Sequence, residues 1–299
     1  MNRREFVSRG VCALTAPLIL PRRAFFSQSA LPPLPPLPAA AADGWIDLFN
    51  GKNLDGFYTF LQRSGKNSDP KGYIKVENGL LHIMANEVTS EVAETGYIAT
   101  LREFENVRIR VEFKWGEKRY PPRLEAKRDN GLVYHIVGDD VVWPVCVECQ
   151  IQETDCGDVF LLGPTGKQTK ATTGSLTTFN PGRGVGTGRA ATPPAAPAPP
   201  PAAAPAAPTP PPNPRVQGNR ILKEGDFEIR NDWNVIEVLA QNDRSAHLVN
   251  GRIVNALNNI QQADPANPGQ MIPLTRGKIA VQVEYAEIWY RRIAVKSLV

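Results

Sequence analysis

The sequence predicts an all-β fold, one antiparallel sandwich of short strands. Three observations carry that prediction. Apolar and polar side chains alternate with a period of two in several segments, Asn-Gly pairs stand between some of them, and nothing after residue 30 keeps helical periodicity for long. In chain order, residues 73–83 read as two strands folded about Asn78-Gly79, a pair suited to the positive φ of a two-residue hairpin turn. Residues 107–115 alternate strictly, with Val107, Ile109, Val111, Phe113 and Trp115 on one face and Arg108, Arg110, Glu112 and Lys114 on the other. Residues 145–151 set Val147, Cys149 and Ile151 opposite Glu148 and Gln150. Residues 233–240 form a further strand, and residues 245–249 turn at Asn250-Gly251 into 252–255. Residues 278–283 and 288–296 are the closing strands.

The two ends of the alternating region are bounded by different material. Residues 1–30 read as an export signal: Arg3-Arg4 with Phe6 two residues on, then an apolar stretch from Val11 to Leu20. The arginine pair resembles that of a twin-arginine signal, which makes the twin-arginine machinery the precursor's expected partner; an ordinary export signal is the alternative. Cleavage is placed near Ala30 or near Ala42, so the mature protein is expected to be periplasmic or secreted. Residues 31–43 are a Pro/Ala tether, and the domain begins at residue 44 and runs to 299. A second Pro/Ala-rich tract, residues 182–214, interrupts the domain and is expected to be a disordered insertion, since it lacks the apolar surface to join a core. No later stretch is apolar for long enough to span a bilayer.

The formal charge of +4 comes from 34 basic and 30 acidic residues, and residues 1–30 alone contribute five arginines against one acid. The mature chain is therefore formally neutral, which removes the electrostatic case for nucleic acid or an anionic membrane as partner. Of four cysteines, Cys12 lies in the signal. Cys146 and Cys149 resemble a metal or redox pair, but residues three apart on a strand point to opposite faces. Cys149 is then core, and Cys146 is free or paired with Cys156.

Several segments together carry a resemblance. They are the opening 44–56 (Gly-Trp-Ile-Asp-Leu-Phe-Asn-Gly-Lys-Asn-Leu-Asp-Gly), Asp129-Asn130-Gly131, and Val147-Glu148-Cys149-Gln150-Ile151. To these add Trp233-Asn234 with His247-Leu248-Val249-Asn250-Gly251, and the closing stretch from Gly277 through Gln282 to Ile293. In this order they resemble the 3-keto-disaccharide hydrolase domain family. The resemblance implies a concanavalin/laminarinase-like jelly-roll sandwich of two antiparallel sheets, cleavage of 3-keto-glycosides, and an extracytoplasmic bacterial setting. The sequence departs from the family at two places. His135 stands where the family often has Arg, and Val283-Glu284-Tyr285-Ala286 follows Gln282 where a His-Gly turn is usual.

In a jelly roll, polar residues at alternate positions of the concave sheet face the sugar. Were their strands neighbours, Arg110, Glu112 and Lys114 would share a cluster with His135 and with Glu148, Gln150 and Gln152. A ketone at C3 acidifies the C2 hydrogen, so cleavage needs a base, a group to hold the enolate oxygen and an acid for the leaving group. Glu148 or His135 is the candidate base; Lys114, His135 or a bound cation is the candidate enolate stabiliser. Gln150, Glu112, Arg110, Trp143, Asn234 and His247 are candidate sugar contacts, Trp143 through stacking with core packing as the equal alternative, and His247 with a structural role as its alternative. Glu153, Asp155 and Asp158 supply hard oxygens for a divalent cation as a candidate cofactor, with an acidic turn as the plainer meaning. Two other classes stay open: a non-catalytic carbohydrate-binding lectin-like module, and a conventional glycan hydrolase on the same fold. The latter needs carboxylates spaced as in Glu-x-Asp-x-x-Glu, and Glu153-Thr-Asp155 is the nearest approach.

Overall fold

The computed structural model describes residues 34–176, 213–267 and 269–299. The expected export signal and all but the last two residues of the 182–214 insertion lie outside the described residues. Within them every regular element is a strand, numbered β1 to β19 in chain order.

Two antiparallel sheets form the jelly-roll sandwich. One has ten strands, in spatial order β11 (Lys170–Thr173), β16 (Arg252–Ala263), β15 (Arg244–Val249), β14 (Asn234–Gln241), β7 (Val107–Arg119), β19 (Ala286–Ser297), β5 (Leu80–Ile83) and β4 (Ile74–Glu77). Two short strands flank this path, β1 (Trp45–Asp47) on β19 and β17 (Met271–Pro273) on β16. The other sheet has nine: β12 (Val216–Gln217), β13 (Arg220–Ile221), β10 (Val159–Leu162), β9 (Val145–Gln152), β8 (Asp129–Val137), β18 (Arg276–Val283), β6 (Gly96–Glu105), β2 (Phe57–Leu61) and β3 (Gly65–Lys66). The hairpin turns fall where the Asn-Gly pairs stand, Asn78-Gly79 between β4 and β5 and Asn250-Gly251 between β15 and β16, each residue at positive φ.

One apolar cluster fills the space between the sheets. It takes Ile109, Val111, Phe113, Ile236, Ile288 and Tyr290 from one sheet and Leu132, Tyr134, Val147, Cys149, Ile151, Val281 and Val283 from the other. This packing decides which way the polar partners point. The odd-numbered apolar residues of β7 enter the core from the ten-stranded sheet, so Arg110, Glu112 and Lys114 face outward on that side of the molecule. Glu148 and Gln150 face outward on the opposite side. The expected single cluster of these residues is thereby corrected: β8 and β9 are neighbours, but β7 belongs to the other sheet. On its own face Glu112 accepts from Arg110 (2.9 Å) and Arg291 (2.7 Å), while Glu237 takes both arms of Arg108 (3.0 and 2.8 Å). These are ion pairs on the outer face of the sheet, in which partly exposed arginines cover the buried carboxylates Glu112 and Glu237.

Two buried histidines also depart from the expectation. Strict alternation would set His135 beside Val133. Instead β8 bulges between Tyr134 and Val137, His135 takes φ 54°, and Ile136 joins Val133 in the outer cluster. His135 Nδ1 donates to the Leu274 carbonyl (3.1 Å), its Nε2 has no partner, and burial lowers its pKa to about 4. His247 is fully buried rather than at a sugar edge. Its Nδ1 donates to the Gly157 carbonyl (3.3 Å), so Nε2 accepts from the Tyr134 hydroxyl (3.1 Å), which in turn pairs with Ser245 (2.6 Å). Burial holds His247 at about 4 as well.

Below pH 6.5 the unfolded chain protonates these rings while the folded chain keeps them neutral down to about 4, so their contribution to stability is lost as pH falls through that window. Each contributes about 1.4 kcal/mol per pH unit at most. The stability deficit of His247→Gln relative to the parent should therefore shrink between pH 6.5 and 4, measured by denaturant unfolding. A deficit constant across that range would contradict the neutral, buried assignment.

Candidate active site on the nine-stranded sheet

The outward face of the nine-stranded sheet gathers carboxylates and amides that lie far apart in sequence. Alternation on β9 turns out Glu148 and Gln150; on β8 it turns out Asp129, Gly131 and Val133; on β18 it turns out Ala280 and Gln282, with Glu284 next in phase. Register then sets Val133 opposite Glu148 and Gly131 opposite Gln150, while Val281 pairs with Leu132 and Gln282 with Tyr97. Gly131 is the gap in this row. A Cβ added there would lie closer than 3.0 Å to Oε1 of both Glu148 and Gln282, so the missing side chain is what lets these two groups converge over β8.

The three carboxylates are buried and mutually repelling. Burial is the largest cause raising the pKa of Glu148 well above the usual carboxylate range, with the charges of Glu284 and Asp129 adding to it and Gln282 opposing it. Glu284 is pushed up to about 8, first by burial and then by Asp129. Asp129 is also raised by burial, against the pull of Arg123, whose Nη1 bridges Asp129 (2.5 Å) and Glu284 (3.1 Å). At neutral pH the cluster thus holds a proton that ordinary carboxylates would have lost. Gln150 Nε2 donates to Asp129 (3.0 Å), whereas Oε1 of Gln150 and Oε1 of Gln282 are buried without a partner. Two orphaned acceptors on one face are sites that a ligand's hydroxyl groups would satisfy.

Beyond Gln282 the face becomes aromatic and cationic. The hydroxyls of Tyr58 (2.6 Å) and Tyr97 (2.9 Å) both donate to Asp140, which also takes Lys66 (2.8 Å). Lys278 lies 3.4 Å from the Tyr58 hydroxyl, and Phe60 stacks on Tyr97. Trp143, Phe160 and Cys146 pack against the same cluster.

Of the residues singled out from sequence, Glu148, Gln150 and Trp143 share this face. Lys114, Arg110 and Glu112 lie across the sandwich, and His135 and His247 are tied to buried backbone carbonyls. Asn234 clamps the turn before β14: its Nδ2 donates to Ile229 O (2.8 Å) and Asp232 O (3.1 Å), and its Oδ1 accepts from Ile229 N (2.7 Å). The acidic turn after β9 is spent on cations. Glu153 takes Arg128 (2.5 Å) and Arg119 (3.3 Å), Asp155 takes Lys127 (3.0 Å) and Arg220 (3.1 Å), and Asp158 takes Arg220. Carboxylates so neutralised do not fit a divalent cation, and among the described residues no group of three or more His, Cys, Asp or Glu side chains is arranged to hold a metal. Cys146, Cys149 and Cys156 are free and buried, with Cys146 in the outer cluster and the other two in the core. Asp129, Glu284, Gln282 and Arg123 complete the site beyond the residues that the sequence pattern singles out. The signal was present for Gln282 and Glu284: Gln282 lies on β18, and Glu284, one residue past its end, continues the alternation on the same face.

The model of the 3-keto-alpha-glucoside-1,2-lyase-like domain matches residues 44–296. Solved structures similar to this chain include a candidate glycosyl hydrolase from Parabacteroides distasonis, at 18% identity over 86% of this chain and 94% of that one, TM-score 0.45. A carbohydrate-binding module from Bacillus subtilis matches at 10% identity over 85% and 96%, TM-score 0.36. A β-1,3-1,4-glucanase (lichenase) derived from a mouse hindgut metagenome matches at 13% over 75% and 83%, TM-score 0.36. No curated protein matches the sequence. With a family model spanning nearly the whole domain, the chain belongs to the 3-keto-alpha-glucoside-1,2-lyase-like domain family.

Proposed function

We propose that the protein cleaves 3-keto-glycosides by proton abstraction at C2, elimination at C1 and addition of water, with Glu148 as the base. The observation that carries this reading is the buried carboxylate cluster beside two unpartnered amide oxygens. A carboxylate with a raised pKa is a stronger base once ionised, as removal of an α-hydrogen requires. Glu148 takes the C2 hydrogen, and the electron pair delocalises onto the C3 oxygen as an enolate. The enolate then expels the C1 substituent, giving a C1–C2 double bond conjugated to the ketone. Glu284, held protonated by burial, is the acid for the departing oxygen, and Arg123 supplies the positive charge nearest the cluster. Water adds at C1. The free acceptors of Gln150 and Gln282 bind sugar hydroxyls, and Trp143 is the stacking wall at the edge of the face.

A purified sample should cleave a 3-keto-glucoside and leave the unoxidised parent intact. Equal cleavage of both would favour a conventional hydrolase, and binding of either without cleavage would favour the lectin-like module.

Arg3-Arg4 and the apolar run behind them direct the precursor through the twin-arginine route to the periplasm or beyond. A reporter fused to residues 1–45 should leave the cytoplasm, and Arg3→Lys with Arg4→Lys should stop it. Export untouched by the double change would rule that route out.

A further inference from the structure

The tether ahead of β1 begins with Leu31-Pro-Pro-Leu-Pro-Pro-Leu-Pro38, and its described part does not hang free. Pro35, Pro36, Leu37 and Pro38 form one side of a cleft whose other side is Leu48, Phe57, Leu101 and Phe104, with about 120 Å³ of space between them. Leu48, Phe57 and Phe104 belong to the edge of the core cluster. An apolar, partly aromatic floor of this kind suits proline rings.

The polar half of the contact is equally selective. A proline-rich segment has few N–H groups and forms no internal hydrogen bonds, so its carbonyls are left without backbone donors. Arg102 Nη2 donates to two of them in succession, Leu34 O (3.3 Å) and Pro35 O (2.5 Å). Arg108, Arg110, Arg123 and Arg128 are all committed to carboxylates, but Arg102 forms no ion pair among the described residues. Its guanidinium is committed to the tether backbone instead. Aromatic floor plus a donor to consecutive carbonyls is how grooves read extended proline-rich peptide.

We propose that the cleft between the β1–β2 loop and the end of β6 is a recognition site for extended Leu/Pro-rich peptide, and that its resident ligand is this chain's own segment 34–38. The tether is then pinned to the domain at its last prolines. The segment, being intramolecular, excludes a free peptide by its high effective concentration.

The test uses the full chain and a synthetic peptide of residues 31–38 as the probe. Replacing Pro35, Pro36 and Pro38 together by glycine loosens the resident segment. That variant should bind the peptide by titration calorimetry, at least tenfold more tightly than the parent does. Adding Arg102→Gln should weaken it about tenfold more, and a peptide with alanine for every proline should not bind. In the parent, nuclear Overhauser contacts between Leu37 methyls and the rings of Phe57 or Phe104 should be present and should vanish with Arg102→Gln. Equal binding by parent and glycine variant, binding indifferent to Arg102, or no binding together with no Leu37 ring contacts would each overturn the proposal.

Discussion

Glu148→Gln should cut turnover of a 3-keto-glucoside by a factor of about 10²–10⁴ while leaving substrate binding nearly intact. The amide keeps the shape of the carboxylate and removes its basicity. Because burial holds Glu148 above the ordinary carboxylate range while Glu284 must keep its proton, the parent's kcat/KM should rise with pH as Glu148 ionises and fall as Glu284 loses its proton at about 8, and the residual activity of the variant should lack the rising limb. Calorimetry with the substrate, against steady-state rates from pH 4 to 9, separates the two quantities. A fully active Glu148→Gln protein would remove Glu148 from the role of base. Asp129 and Glu284, on the same face, would be the next to test.

Gly131→Ala should be nearly as damaging, although the residue carries no chemistry. Its φ is not in the left-handed region, so alanine meets no backbone penalty. The obstacle is steric: the new methyl overlaps Oε1 of Glu148 and of Gln282, and one or both must swing away. Small-to-large changes in a packed site cost about 1–3 kcal/mol. A displacement of a catalytic group by about 1 Å can cost about 10² in rate. The expected result is a folded protein, a melting temperature lower by several degrees, and turnover down by roughly two orders of magnitude. Adding Gln282→Ala opens space for the methyl and should restore part of the stability. Activity unchanged in Gly131→Ala would show that convergence of Glu148 and Gln282 is not needed.

Four strands differ in how much of the site their sequence reveals. β9 was legible because Glu148 and Gln150 alternate with Val147, Cys149 and Ile151, and the pattern fixes a face without any knowledge of neighbours. β7 was legible as a strand for the same reason, yet its membership in a sheet was not. Alternation says which residues share a side, never which sheet the strand enters, so it cannot separate Arg110, Glu112 and Lys114 from Glu148 and Gln150. β8 defeated the pattern itself. A bulge at Tyr134–Val137 breaks the period, and nothing in Val133-Tyr134-His135-Ile136 signals that His135 takes φ 54°. β6 escaped notice as well: Gly96-Tyr-Ile-Ala-Thr-Leu-Arg-Glu-Phe-Glu105 is buried on both faces over its first half and does not alternate, so Tyr97 could not be placed on the site. Glu284 and Asp129 were visible as residues, but their roles depend on β8 and β18 being neighbours, a long-range pairing that no local pattern encodes.

The claim that joins these observations is that Glu148 removes the hydrogen at C2 of a 3-keto sugar. Incubating the protein in D₂O with a 3-keto-glucoside, stopping before completion, and reading deuterium at C2 of recovered substrate and product tests it most directly. The account predicts deuterium at C2 with the parent protein and its loss, along with turnover, in Glu148→Gln. Cleavage at C1 with hydrogen retained at C2 would contradict it, because the bond would then have broken without an enolate.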